Sequence, residues 1–318
     1  MTDFYGYNEN IINSINKKGY NVFWYKDKVE LSYFERVISK IFKFYKKHKF
    51  NKYFKKSLRI MKNYEIDKIL VIFGANFMND YHILKLKEKF QGVKIIYYAW
   101  DSVSNFPNIE KLFSAADISY SFDPMDSKKY GVKFLPLFYT FDKNELDEKK
   151  YDVSSIMSVF TEKCLSLEHM LKLIPSGMNS FYFFKVRDYH YLSKIKNEFP
   201  TLYNKYCSAF KIDKMEYSDC LDVFAKSKVV IDIPLPNQIG LTMRTFEVLS
   251  TKTKLITTNK NIRNYDFYCE DNIFVIDEDV KIIPLYFFEK SFNEKFSLDK
   301  KYFIDNFVET LIGDGDYE

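Results

Sequence analysis

Short β-branched or aromatic runs alternate with segments of helical period along almost the whole chain, which is the rhythm of parallel α/β sheets. In the first half the pattern predicts strands at residues 21–25, 69–73, 94–98, 117–121 and 133–138, with helices between them. In the second half it predicts strands at 152–159, 180–185, 228–233, 254–258 and 272–276, and helices at 162–173, 218–225 and 242–250. The acidic stretch 140–150 (TFDKNELDEKK) has no apolar periodicity and separates the two series. The expected organisation is a first domain at 1–140, a linker at 141–150 and a second domain at 151–318, closed by a helix at about 298–311 and a frayed end at 313–316. The first periodic segment is a helix, 8–18, ending at Gly19. An open α/β domain normally begins with a central strand, so the opening strand is expected to be missing, or shortened to the residues around Phe4 and Tyr5.

A length of 318 residues agrees with two domains, and 47% apolar with 29% charged residues, 9 Gly and 8 Pro exclude collagen-like and wholly disordered chains. No apolar run approaches the roughly 18 residues of a membrane span, and Met1 to Tyr7 lack the plan of a signal peptide, so a cytoplasmic chain is expected. The four cysteines, Cys164, Cys207, Cys220 and Cys269, show no Cys-x-x-Cys pair and no His at metal-ligand spacing, and read as reduced thiols. The net charge of +5 is unevenly spread: residues 36–62 carry 11 Lys or Arg and no Asp or Glu, which leaves −6 for the remainder. That segment (Lys43, Lys46, Lys47, Lys49, Lys52, Lys55, Lys56 and Arg59 among its cations) interleaves 6 Phe or Tyr. An acidic remainder without a recognition module argues against nucleic acid. Two readings stand: an anionic membrane surface, or a solvated helix whose Ile41, Phe42, Tyr45 and Phe54 cover the sheet.

Two segments place polar groups at the carboxyl ends of strands. In the second domain an apolar strand empties into a Pro, Asn, Gln and Gly loop, and a helix opens with Thr242 as N-cap. Gly240, Thr242 and Arg244 then suit a diphosphate through free N–H groups, a positive helix end and a guanidinium. Glu247, three residues on, either accepts the hydroxyls of a ribose or pairs with Arg244 as an i, i+3 ion pair. In the first domain one strand ends in Trp100-Asp101-Ser102 and the next in Phe122-Asp123-Pro124-Met125-Asp126. Asp101 has an apolar neighbour that would raise its pKa, as a general base needs, or it caps the next helix with Ser102; Asp126 reads as the cap of the helix at 127–130. His82 reads as a surface or packing histidine, and Asp277-Glu278-Asp279 as a solvated acidic turn, so no metal is predicted.

Trp100-Asp101-Ser102, Ser121-Phe122-Asp123, Tyr130-Gly131, Leu135 to Tyr139, Gln238 to Arg244 with Glu247, Leu255 to Asn259 and Tyr265 to Tyr268 together resemble bacterial glycosyltransferases of lipopolysaccharide, capsule and exopolysaccharide synthesis, and the CgeB-like spore-coat group. The resemblance spans about 69–276. It implies the GT-B architecture, two Rossmann-like domains facing across a cleft, with the nucleotide-sugar held mainly by the second. It implies Gly240, Thr242 and Arg244 for the donor diphosphate and Glu247 for the ribose, with Gln238 also among the donor-binding residues. The chain departs from the pattern in two places. Ser158 to Lys163 stand where relatives have a Gly and an Arg, and Ile239 stands eight before Glu247 where a Glu-x7-Glu pair would begin.

The resulting expectation is a metal-independent hexosyltransferase-type enzyme without a cofactor. It would move a sugar from a nucleotide-sugar donor to a glycan or lipid-linked acceptor, with the chain peripheral on the inner membrane face. Asp101 is the first choice for the base that deprotonates the acceptor, and Asp123 the second. The alternative is a catalytically silent GT-B-like protein that binds a glycan or a partner enzyme in an assembly complex. A nucleotide-sugar epimerase or dehydrogenase would need a Gly-x-Gly-x-x-Gly near the N-terminus, and the sequence has none.

Overall fold

The computed structural model describes residues 6–42, 44–72, 77–141, 148–277 and 279–313. The chain forms two compact units, one of residues 1–136 and 304–318, the other of residues 137–303.

Among the described residues the first unit is built on a four-stranded parallel sheet of β1 (Lys68–Ile72), β2 (Lys94–Ala99), β3 (Ile118–Ser121) and β4 (Lys133–Phe134), in the order β1-β2-β3-β4. The central strand β2, KIIYYA, is buried from its second residue to its last, as a strand covered on both faces must be. The expected strand at 133–138 is only two residues long, although Leu135, Leu137 and Phe138 beyond it are buried.

The segment 21–25, predicted as a strand, pairs with no strand among the described residues. Its β-branched and aromatic residues favour extended backbone, but a strand exists only where a neighbour completes the ladder. The helix expected at 8–18 is Tyr7–Lys17, closed by Gly19 at φ +88°, a conformation that only glycine adopts freely.

Among the described residues the second unit carries a six-stranded parallel sheet of β5 (Tyr151–Ser158), β6 (Ser180–Lys185), β7 (Phe210–Lys211), β8 (Ser227–Asp232), β9 (Lys254–Thr257) and β10 (Ile273–Val275), in the order β10-β9-β8-β5-β6-β7. β7 is too short to leave a periodic signal. Successive connections step from β5 to β6 and β7 on one side and from β8 to β9 and β10 on the other, so the direction of winding reverses between β5 and β8. In an open parallel sheet that reversal leaves a crevice at the carboxyl ends of the two strands.

The domain boundaries differ from the expected ones at the C-terminus. The closing helix, Ile304–Gly313, belongs to the first unit rather than the second. Phe307 is 1% exposed and meets Tyr98 of β2 edge-on at 5.0 Å between ring centroids. Ser14 Oγ donates to Asp305 Oδ1 at 2.5 Å, and Lys18 pairs with Glu309 at 2.8 Å. A periodic pattern gives a helix an apolar face but not the sheet that face will cover. Both tryptophans, Trp24 and Trp100, lie in the first unit, so their fluorescence reports that unit alone. Phe307→Ala is expected to lower the stability read by tryptophan fluorescence in urea by about 3–5 kcal/mol; an unchanged transition would show that the helix does not support this sheet.

Candidate functional site

The crevice between β5 and β8 is lined by charge. β8 ends in Asp232, which is only 1% exposed after the apolar run Val229 to Ile231. The helix Met243–Ser250 begins eleven residues later, and its N-cap Thr242 serves both elements. Thr242 Oγ1 donates to Asp232 Oδ2 at 2.5 Å and accepts from the Thr245 N–H at 3.3 Å. Arg244, in the first turn, places Nη1 3.5 Å from Asp232 Oδ1, with its guanidinium 5.9 Å from the centre of the Phe224 ring.

From the other side of the reversal comes Lys163, in the first turn of the helix Thr161–Lys172 that follows β5. Its Nζ donates to the Ile233 carbonyl at 2.6 Å. Burial lowers its pKa to about 8, with the nearby Arg244 charge acting in the same direction and Asp232 opposing both. Two cations and a capped helix start therefore converge around one buried carboxylate. First-turn N–H groups have no acceptor within the helix, so the same end carries partial positive charge. The arrangement suits a polyanion such as a diphosphate.

The loop between β8 and this helix is fixed by side-chain amides. Gln238 Nε2 donates to the Gly240 carbonyl at 3.0 Å, and Asn259, just beyond β9, donates to the carbonyls of Ile239 at 3.1 Å and Gly240 at 3.3 Å. Gln238, Gly240, Thr242 and Arg244 thus lie on one loop and helix start. Glu247 points elsewhere in the structure: it is 4% exposed and hydrogen-bonded to the Tyr217 hydroxyl, which also meets Thr140 Oγ1 at 2.8 Å. The Tyr217 phenol is held well above its ordinary pKa, first by burial and then by the Glu247 charge. Arg244 thus meets Asp232, and Glu247 meets Tyr217.

Sequence reasoning passed over Asp232 and Lys163. Asp232 reads as part of an apolar run, although a carboxylate closing such a strand is itself a signal. Lys163 sits in the stretch that attracted notice only for lacking a Gly and an Arg.

In the first unit, Asp101 follows β2 and is partly open at its surface, yet protein fills most of the space around its carboxylate, and that burial raises its pKa to about 7. Asp123 has a structural place. It is the N-cap of the helix Pro124–Tyr130: Oδ1 accepts from Met125 N–H at 2.9 Å and Asp126 N–H at 3.4 Å, and Oδ2 accepts from Ser102 Oγ at 2.7 Å. The cap assigned to Asp126 is thereby corrected; Pro124 at the first helical position makes Asp123 the boundary. Asp126 is buried instead against the Val103 N–H, at 2.7 Å. Neither Asp101 nor Ser102 caps the next helix, whose N-cap is Asn108.

His82 is fully buried, bonded through its ring nitrogens to Asn79 and Asn51 and packed edge-on to Phe50 and Phe54; burial lowers its pKa to about 4. It is a packing histidine. In the basic segment Lys46, Lys47, Lys52, Lys55, Lys56 and Arg59 are exposed, Lys49 pairs with Glu35 at 2.7 Å, and Lys43 lies outside the described residues, as does Glu278 of the acidic turn. Among the described residues no three His, Cys, Asp or Glu side chains are grouped to hold a metal ion.

No family model matches the chain, and no curated protein matches it in sequence. Its fold, however, recurs among solved structures. Sucrose-phosphate synthase from Thermosynechococcus elongatus is similar at a TM-score of 0.56 and 9% identity, over 96% of this chain and 88% of that one. UDP-GlcNAc 2-epimerase from Methanocaldococcus jannaschii, in complex with UDP-GlcNAc and UDP, is similar at 0.53 and 12%, over 96% and 94%. HepE from Anabaena, in complex with UDP and glucose, is similar at 0.52 and 8%, over 81% and 77%. The chain has the GT-B fold, with two Rossmann-like domains.

The raised pKa of Asp101 has a signature in stability. The folded state holds this proton more tightly than the unfolded chain, so the contribution of Asp101 to stability is greatest below the ordinary carboxylate range, falls as pH rises towards about 7, and is level above it. Asp101→Asn is expected to remove that slope, measured as urea midpoints across pH by tryptophan fluorescence; parallel profiles for the two proteins would show that Asp101 ionises normally.

Proposed function

We propose that the protein transfers a sugar from a nucleotide-sugar donor to a hydroxyl acceptor, with the donor diphosphate seated at the β5/β8 crevice of the second unit. The observation that carries this reading is the convergence of Lys163, Thr242 and Arg244 on the carboxyl edge of the sheet where its winding reverses. The likeness in fold to proteins whose structures contain UDP, UDP-GlcNAc or glucose supports it.

The chemistry follows from where charge develops. As the bond between sugar and diphosphate breaks, the leaving nucleoside diphosphate gains negative charge. Cations and N–H groups already fixed there stabilise the transition state more than the ground state. Arg244 is suited to this because its planar guanidinium can make paired hydrogen bonds to phosphate oxygens while Asp232 keeps it oriented. Lys163, with a pKa near 8, is predominantly charged at neutral pH and adds a second positive group. In the same reading Asp101 takes the proton of the acceptor hydroxyl, a role for which a pKa of about 7 is well placed. Asp123, fully engaged as a helix cap, leaves that role to Asp101. Gln238 and Gly240 shape the donor loop, and Glu247 acts through Tyr217 on the seating of the donor helix. The acceptor in this proposal is a lipid-linked or surface-polysaccharide glycan, as the resemblance of the two segments implies.

A second reading has one observation in its favour. An epimerase acting on UDP-GlcNAc shares this fold, so the fold alone does not separate transfer from epimerisation. Both readings place a nucleoside diphosphate at the same edge; release of UDP in the presence of acceptor belongs to transfer only. UDP and UDP-sugars are expected to raise the melting temperature of the wild type, and Arg244→Ala and Lys163→Ala to weaken UDP binding by roughly tenfold or more each. If no nucleoside diphosphate among the uridine, adenosine, guanosine and thymidine series stabilises the wild type, or if Arg244→Ala responds equally well, the donor site is not here.

A further inference from the structure

The first unit exposes an apolar surface that its own core does not use. The helix Tyr33–Ile41 opens with Ser32, which accepts from the Glu35 N–H while Glu35 accepts from the Ser32 N–H, a complete capping box. Its residues Phe34, Val37, Ile38 and Ile41 recur at i, i+3, i+4 and i+7 and so form one stripe. That stripe faces outward: Phe34 is 78% and Ile41 70% exposed, with Val37 and Ile38 also open. The connection to the next helix extends it through Phe42 and Phe44, 50% and 69% exposed, whose rings lie 5.8 Å apart.

The next helix, Tyr45–Met61, has the opposite plan. Phe50 is buried, and Tyr53, Phe54, Leu58 and Met61 pack with it against the sheet core. Lys52, Lys55, Lys56 and Arg59 recur at i, i+3, i+4 and i+7 on the outward side, all exposed. The two helices are tied together by Glu35, which accepts from Lys49 at 2.7 Å and from the Tyr45 hydroxyl at 3.0 Å. Those bonds hold the Glu35 carboxyl at about 2, with the Lys49 hydrogen bond the largest cause, so its charge is spent on Lys49 rather than on the outward cations. Among the described residues no carboxylate pairs with Lys52, Lys55, Lys56 or Arg59.

We infer that this surface docks on an anionic lipid bilayer, with the helix Tyr33–Ile41 lying in the interface and the outward face of Tyr45–Met61 meeting the headgroups. A nine-residue helix is about 13 Å long, too short to span a bilayer but sufficient to lie in its interface. Apolar burial and attraction of Lys and Arg to an anionic leaflet each contribute, and neither alone holds a protein firmly. The charge decides between occupants: a second copy would bring the same uncompensated cations against this face, whereas anionic headgroups neutralise them. The inference deepens the transfer reading by supplying the surface at which a lipid-linked acceptor would be met, and relies on that reading only for its purpose.

The experiment is flotation of the full chain with vesicles of phosphatidylcholine alone and of phosphatidylcholine mixed with phosphatidylglycerol, at low and high salt. Wild type is expected to float with the anionic vesicles only, and less at high salt. The double substitution Phe34→Ser with Ile41→Ser, and the triple substitution Lys52→Ser, Lys55→Ser and Lys56→Ser, are each expected to weaken flotation by roughly tenfold or more. Both sets replace exposed side chains, and the UDP-induced thermal shift of the second unit serves as the control that separates loss of this surface from failure of the donor site. Absence of flotation, flotation equal in the serine variants, or a wild-type dimer that Phe34→Ser with Ile41→Ser dissociates would overturn the inference, the last in favour of contact between copies.

Discussion

A carboxylate removed from water must be met by charge or hydrogen bonds, because its desolvation otherwise costs several kcal/mol. Asp232 imposes that requirement on the second unit. It closes an otherwise apolar strand at the point where the sheet reverses its winding, and the side chains around it are arranged to satisfy it. The Thr242 hydroxyl donates to Asp232 and accepts from the helix behind it, so the strand end and the helix start share one atom. Arg244 is drawn to the same carboxylate. Lys163 approaches from the β5 side, and the Ile233 carbonyl just beyond β8 accepts from its ammonium. One buried negative charge thereby organises the positive edge that makes the site fit for phosphate.

The first unit is governed by apolar packing, and its ionisable groups are exceptions within it. His82 is neutralised by burial and locked between two asparagines, and Asp123 is consumed as a helix cap. Asp101 differs from both because burial shifts it without supplying a partner strong enough to hold it ionised. A carboxyl in that condition exchanges its proton near neutrality, which is what sets it apart from the structural acids around it.

Much of the sheet architecture was legible because parallel strands covered on both faces need continuous apolar runs. The strand at 180–185 is the same in pattern and in structure, and the runs at 94–98 and 254–258 differ by a residue. The run at 21–25 has the same local chemistry and forms no strand, since pairing depends on a neighbour that a local pattern cannot supply. The C-terminal helix was legible as a helix but not as a member of the first unit, because its partners Tyr98 and Ser14 lie some two hundred residues or more away. At the candidate site, Thr242 and Arg244 were visible from the loop that precedes a capped helix. The destination of Glu247 was not, since Tyr217 is thirty residues earlier and on another helix. The Asp-Pro pair at Asp123 carried a readable cap signal that the acidic residue three positions later obscured.

The central claim is that Asp232 builds the phosphate edge by orienting Arg244 and Thr242, and its sharpest test is a measurement in which orientation and simple repulsion have opposite signs. Titration calorimetry of UDP against wild type and Asp232→Asn provides it. If Asp232 is the organising group, removing its charge weakens UDP binding despite making the crevice more positive. Tighter or equal binding by Asp232→Asn would contradict the account, because the carboxylate would then be a neighbour that the site tolerates rather than the group that assembles it.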